Sequence, residues 1–142
     1  MATTTDKPKK KPNAKPAPPV SADTHKVLLL DGHSLAYRAF FALPDTLVTS
    51  SGQVTNAVYG FTAMLIKLLA DERPQGVVVC FDKGMPQFRL DRYPEYKAGR
   101  ATMPDLFKQQ LPLIREVLES LRVPIVELEG YEADDLLATL TK

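Results

Sequence analysis

The sequence predicts an α/β fold, a mainly parallel sheet with flanking helices, and three observations predict it. Three short apolar runs, Val27–Leu30, Val77–Phe81 and Ile125–Val126, have the continuity of strands buried on both faces. Segments with apolar residues at helical spacing lie between them. Each run leads into acidic residues, the arrangement expected where the carboxyl ends of parallel strands form one edge. Alternation of this kind favours right-handed crossovers.

The elements follow in order. Residues 1–24 are rich in Lys, Pro, Ala and Thr without a hydrophobic period, so a disordered tail is expected there. Order begins near Lys26 with the first strand, which ends in Asp31-Gly32. Ser34 to Phe41 reads as a short helix stopped by Leu43-Pro44. Thr49 to Thr55 is polar with a turn at Ser51-Gly52. Asn56 is placed to cap a helix reaching Glu72, with Val58, Phe61, Leu65, Leu68 and Leu69 on its apolar face. Arg73-Pro74-Gln75-Gly76 breaks that helix before the second strand. Residues 83–103 show little apolar periodicity and read as an irregular, mobile segment. Pro104-Asp105 opens a helix reaching about Arg122, and Pro112 should divide it near Leu111. After Ile125-Val126, a last helix starts near Glu132 and shows no stop signal before Lys142. Three strands make a thin sheet, so the chain is expected to be an incomplete part of a larger domain. There are no internal repeats.

Composition narrows the class. At 142 residues, with 44% hydrophobic and 25% charged side chains, the chain suits one globular domain. The net charge of +1 is unevenly spread. Before Lys26, Lys7, Lys9, Lys10, Lys11 and Lys15 stand against Asp6 and Asp23, so the tail is basic and the remainder slightly acidic. Nucleic-acid binding is compatible with that balance where the basic residues cluster. The one cysteine, Cys80, excludes an internal disulfide and sits in an apolar run as a small buried strand residue. No apolar run has the ~20 residues that span a bilayer, and no secretory signal core is visible. A cytoplasmic setting without membrane contact is therefore expected.

The acidic residues carry the chemistry. Asp31 follows the first strand, Asp82 the second, and Glu132, Asp134 and Asp135 the third. Each has a local alternative: Asp31-Gly32 and Asp82-Lys83-Gly84 suit turns, and acids at 132–135 suit a helix N-terminus. Their coincidence at three strand ends favours a shared site. Two carboxylates ~4 Å apart repel by about 4 kcal/mol at an effective dielectric near 20, which a divalent ion relieves. All-oxygen ligation favours Mg²⁺ or Mn²⁺ over zinc and suits phosphoryl chemistry. Glu132 and Asp135, three residues apart, share a helix face from which Asp134 points away. His33 is expected to hydrogen-bond locally rather than to ligate, and His25 carries no signal.

The segment after Asp82 is basic and aromatic. Lys83, Arg89, Arg92, Lys97 and Arg100 outnumber Asp91 and Glu95, with Phe88, Tyr93 and Tyr96 interleaved. Leaving an acid-bearing strand, it is suited to grip phosphates and stack on unpaired bases, with a solvated loop carrying incidental aromatics as the alternative. Tyr37 and Arg38 are expected near the same edge, with packing against the sheet as the alternative.

Four ordered motifs together resemble one family. The run Val27 to Phe41 (VLLLDGHSLAYRAFF), Phe81-Asp82-Lys83-Gly84 with Phe88-Arg89, Tyr93 to Arg100 (YPEYKAGR), and Gly130 to Asp135 (GYEADD) resemble the front of the 5′ nuclease domain of bacterial DNA polymerase I. That family includes flap endonucleases and belongs with PIN-like, resolvase-like folds. The resemblance covers about residues 26–142. It implies Mg²⁺-dependent, with Mn²⁺ as a substitute, 5′-3′ exonuclease and flap endonuclease activity on DNA with a 5′ flap or 5′ single-stranded end, RNA primers included. By position, Asp31, Asp82, Glu132, Asp134 and Asp135 resemble the family's metal-site carboxylates. Lys97 and Arg100 resemble the arch cations near the scissile phosphate, and Tyr37, Arg38 and Arg89 its substrate contacts. Family domains continue with further metal-binding aspartates and a helix–hairpin–helix type element that grips duplex, neither of which is present.

Two other classes compete. A non-catalytic flap or single-stranded DNA-binding module would use the acids structurally and bind DNA regardless of EDTA. A phosphatase of similar layout would use Asp31 as nucleophile, but Asp31-Gly32-His33 lacks the second acid two residues on that such enzymes use.

Overall fold

The computed structural model describes residues 25–99 and 102–142, so the expectation of a disordered tail and the role assigned to Arg100 fall outside the described residues. Three parallel strands, β1 (Val27–Asp31), β2 (Gly76–Cys80) and β3 (Ile125–Val126), lie in the order β1-β2-β3. Asp31 is in register with Cys80, and Cys80 with Val126, so the three strands end together. Full burial on both faces holds best for the middle strand, where Val79 and Cys80 are inaccessible to solvent. On β1, Val27 is exposed and Leu30 is the buried residue.

Six helices complete the described elements: α1 (Gly32–Ala42), α2 (Asn56–Glu72), α3 (Gln87–Arg92), α4 (Asp105–Lys108), α5 (Leu111–Ser120) and α6 (Ala133–Leu140). Small residues bring α1 and α2 close: Ala36, Ala39, Ala57 and Gly60 are all buried. A Cβ on Gly60 would stand 2.7 Å from Ala39 Cβ, so only glycine permits this approach. Phe61 and Leu65 of α2 then reach Leu30 and Val79 of the sheet, and Ile114 and Leu118 of α5 and Phe107 of α4 join the same core. Pro112 sits in the first turn of α5, and the helical run from Pro104 is divided there as expected.

Two expectations need correction. Asn56 is not the cap of α2, since Thr55 occupies that position and its side chain makes no cap bond. Asn56 is instead 1% exposed; its Nδ2 donates to the carbonyls of Phe40 (3.0 Å) and Leu43 (3.1 Å), which tie down the end of α1. The orphan N–H groups of Ala57 and Val58 donate to Gln110 Oε1 at 2.8 and 3.2 Å, and Gln110 Nε2 donates to Asn56 Oδ1 at 2.8 Å. A side chain more than fifty positions away does the capping, which local sequence cannot display. The stretch 83–103 is likewise not irregular throughout, because Gln87–Arg92 form α3. Too short for amphipathic periodicity, α3 is held by charge pairing to α6, described next.

Candidate active site at the carboxyl edge of the sheet

Asp31 ends β1 and caps α1, its Oδ1 accepting from the Ser34 N–H at 3.0 Å. Gly32 follows because a Cβ there would stand 2.5 Å from the Phe81 ring. Asp82 emerges beyond β2. Immediately after it, Lys83 pairs with Tyr131: Lys83 N–H donates to the Tyr131 carbonyl at 3.2 Å, and Gly130 N–H to the Lys83 carbonyl at 2.8 Å. Gly84 and Gly130 flank this bridge with φ of 70° and 80°, backbone that L side chains rarely adopt. The bridge sets Asp82 beside the start of α6, where its Oδ1 accepts from the Ala133 N–H at 2.6 Å. One strand-end carboxylate thus satisfies an orphan donor of the helix carrying the others.

On α6, Glu132 and Asp135 form a capping box. Arg89 of α3 bridges them, Nη1 donating to Glu132 Oε2 at 2.9 Å and to Asp135 Oδ2 at 2.8 Å, while Nη2 pairs with Asp135 Oδ1. Tyr96 Oη also donates to Glu132 Oε2 at 2.9 Å, and the Lys97 ammonium pairs with Oε1. The Glu132 side chain is only 8% exposed, and these three donors make its charge tolerable. The Arg89 hydrogen bond holds Asp135 below the usual carboxylate range.

A cavity of about 270 Å³ results, lined by Asp31, His33, Ser34, Tyr37, Asp82, Tyr96, Lys97, Glu132 and Asp134. Four of the five acids singled out from sequence line it. Asp135 does not; it shares a face with Glu132, as its spacing implied, and Asp134 rather than Asp135 joins Glu132 on the wall. Tyr37 lines the cavity and stacks on Phe107 of α4, with ring centroids 4.1 Å apart, rather than on a strand of the sheet. Arg38 is exposed and does not line the cavity. Arg89 stands behind the wall on the acids of α6, and the segment taken as mobile is folded onto α6 by Arg89, Tyr96 and Lys97.

His33 plays the local role expected of it. Its ring meets Phe81 edge-on at 5.2 Å and its Nδ1 accepts from the Asp82 N–H at 3.3 Å. Burial pushes its pKa down, consistent with a neutral imidazole. Sequence reasoning missed a second charged group below the site. Arg115 of α5 lies over the Phe81 ring at 4.8 Å and donates to Glu127 Oε2 at 2.6 Å. Glu127 follows β3 directly, but nothing in its own neighbourhood points to Arg115 as its partner.

The donor chemistry of the cavity fits a hard divalent cation, being four carboxylates with no thiol and an imidazole nitrogen already engaged. Their spacing is not that of an assembled centre. Among the described residues, no three His, Cys, Asp or Glu side chains form a group able to hold an ion. Lys97, Arg89 and the Ala133 N–H offset the acidic charge instead.

A three-stranded parallel sheet with acids at its carboxyl edge defines the class as an α/β domain with an acidic strand-end site, and comparison places it. The chain belongs to the family of the 5′-3′ exonuclease N-terminal resolvase-like domain, which it matches over residues 26–142. It is 54% identical over 115 residues to DNA polymerase I of Mycobacterium tuberculosis, and 51% identical over 117 residues to the thermostable DNA polymerase I of Thermus thermophilus. These alignments cover 80% and 82% of this chain but only 13% and 14% of those polymerases. The fold is similar to the T5 D15 protein co-crystallised with metal ions (TM-score 0.57, 23% identity, 81% of this chain and 43% of that one). It is also similar to the T5 D15 flap endonuclease in a complex with DNA and metal ions (TM-score 0.55, 22% identity, 81% and 43%).

Proposed function

We propose that this chain is the front part of a divalent-metal-dependent 5′-3′ exonuclease and flap endonuclease, hydrolysing phosphodiesters of DNA in replication and repair. The observation that carries the reading is the meeting of Asp31, Asp82, Glu132 and Asp134 from three strand ends on one cavity, beside Lys97. Membership of the exonuclease family and the DNA polymerase I relatives support it. The substrate is DNA with a 5′ flap or 5′ single-stranded end, or an RNA primer, and the setting is cytoplasmic.

Asp31, Asp82, Glu132 and Asp134 would hold Mg²⁺, or Mn²⁺ in its place. Once bound, such an ion supplies a water of lowered pKa and charge stabilisation at phosphoryl oxygens. The chain's own residues do the rest. Lys97, paired with Glu132, is placed to exchange that carboxylate for a phosphate oxygen. Tyr37, braced on Phe107, offers a rigid aromatic wall beside the acids. Arg89 holds α3 and α6 together, so that the basic segment and acidic edge keep one geometry.

The test is cleavage of a labelled 5′-flap duplex in Mg²⁺ by the full chain and by a lengthened form carrying the remainder found in its relatives. Cleavage near the junction is expected, abolished by EDTA. Asp82→Ala should reduce it about 100-fold or more, the scale on which single groups stabilising a transition state act. Asp82→Asn keeps an acceptor for the Ala133 N–H and should lose activity while remaining folded.

A second reading has one observation in its favour, the structural use of Glu132 and Asp135 as cap and ion-pair partners. It is a non-catalytic flap-binding module. Flap binding unaffected by EDTA and by Asp82→Asn, with no cleavage from either form, would establish it.

A further inference from the structure

Beneath the acidic cavity lies a pair of charges that the proposed chemistry does not use. Arg115 Nη2 donates to Glu127 Oε2 at 2.6 Å, and Lys83 Nζ stands 3.9 Å from Glu127 Oε1, so both oxygens of that carboxylate are engaged. Neither Arg115 nor Glu127 lines the cavity. The Arg115 guanidinium also covers Phe81, 4.8 Å from the ring centre. Phe81 is buried and directly precedes Asp82, as Lys83 directly follows it. The two residues that bracket Asp82 are thus both held by one ion pair.

The hold reaches further through the ring. The far end of Phe81 occupies the space that a side chain on Gly32 would need, 2.5 Å from the position of a Cβ there, and Gly32 directly follows Asp31. The same ring meets His33, whose Nδ1 accepts from the Asp82 N–H at 3.3 Å. A close-packed interior transmits a displacement instead of absorbing it. A shift of Phe81 would therefore move the backbone beyond Asp31 and the acceptor of the Asp82 amide together.

We infer that Arg115 and Glu127 form a positioning pair for the carboxylates of Asp82 and Asp31, acting through Phe81 and Lys83 without touching ion or substrate. The side chains of the pair are 34% and 27% exposed, where an ion pair adds little to global stability. Its effect is concentrated on the two strand ends that Phe81 joins. Groups behind a ligand that fix its direction govern affinity for a cation as the ligand itself does.

The inference rests on the metal-dependent reading for its ion, and the experiment reads the geometry both without and with that ion. Amide exchange of the full chain is followed residue by residue in EDTA for wild type, Arg115→Gln and Glu127→Gln. The Asp82 N–H reports its bond to His33, the Ala133 N–H its bond to the Asp82 carboxylate, and the Ser34 N–H its bond to the Asp31 carboxylate. These three amides are expected to exchange about ten-fold faster in each variant, with a smaller change at the amides that pair β1 with β2. The Mg²⁺ midpoint, taken from the rise in melting temperature, should move up about ten-fold in both, the low end of what loss of an outer-shell partner costs. Glu72→Gln removes an exposed ion pair with Lys26 at the opposite, amino edge of the sheet and should change neither readout. Wild-type exchange at the three amides would overturn the inference, as would an unchanged midpoint in a chain that binds Mg²⁺. Loss of protection spread evenly over the sheet would reduce the pair to a stabilising contact and overturn it too. Faster exchange at the three amides in a chain that binds no Mg²⁺ would leave the positioning role standing and remove the metal reading.

Discussion

Glu132 and Glu127 show how differently two acids near one strand end are used. Glu132 is nearly buried, and three donors converge on it from the segment after β2. Glu127 is partly exposed and held by Arg115, with Lys83 Nζ 3.9 Å away. The Arg115 hydrogen bond holds the Glu127 carboxyl below its ordinary value, burial acting in the other direction. A carboxylate whose folded pKa is depressed adds stability that is complete above the unfolded value, about pH 4.3 for Glu, and is lost as pH falls through the folded value. Arg115→Gln should therefore lower stability near neutrality and flatten its decline below about pH 4.3, as read from denaturant midpoints across pH. An unchanged acid limb would mean that the pair contributes nothing. Asp31 and Asp82 were legible from position in sequence because strand ends share an edge. Glu127 was not, because its partner Arg115 comes from a helix that its own neighbourhood does not reveal.

Helix α2 carries the lesson at the scale of elements. Its apolar face, its length and its break at Arg73 follow from local pattern, and Arg73 closes it in the left-handed conformation with φ 43°. Its N-terminus does not. Gln110 caps it from the junction of α4 and α5 and satisfies Asn56 in the same act. Gln110→Ala should leave the Val58 N–H without a partner and the Ala57 N–H and Asn56 Oδ1 with only each other in a dry site. A loss of about 2–3 kcal/mol in unfolding free energy is expected from that desolvation. Exchange protection should fall first at the start of α2. Helix α3 makes the complementary point. Six residues with no buried side chain form a helix because Arg89, at its centre, is fixed by two carboxylates of α6. Local propensity is outweighed there by a tertiary ion pair.

At the scale of the molecule, β1, β2 and α6 present like charges to one cavity, and what neutralises them ties the edge together. In this structure Lys97 and Arg89 do so. Mg²⁺ bound among Asp31, Asp82, Glu132 and Asp134 would link the same three elements and stabilise the folded state by mass action, about 2.7 kcal/mol at 100 times the dissociation constant. For a domain of this size that is a rise of about 10 °C in melting temperature. The rise should be reversed by EDTA and lost in Asp82→Asn, and it is measurable without substrate. A melting curve indifferent to Mg²⁺ in both proteins would remove the carboxylates from the role of ion ligands.

The amino-acid sequence by itself determined the α/β alternation, the parallel sheet, the division of a helix at Pro112 and the placement of acids at three strand ends. All of these depend on periodicity, proline geometry and chain direction, which are local properties. Only the tertiary structure decided that Gln110 caps α2, that Arg89 makes a helix of Gln87–Arg92, and that Asp134 rather than Asp135 faces the cavity. Those outcomes depend on pairings across 36 to 54 positions, such as Tyr96 with Glu132 and Gln110 with Asn56, and a pairing of that range exists only once the backbone has brought its partners within reach.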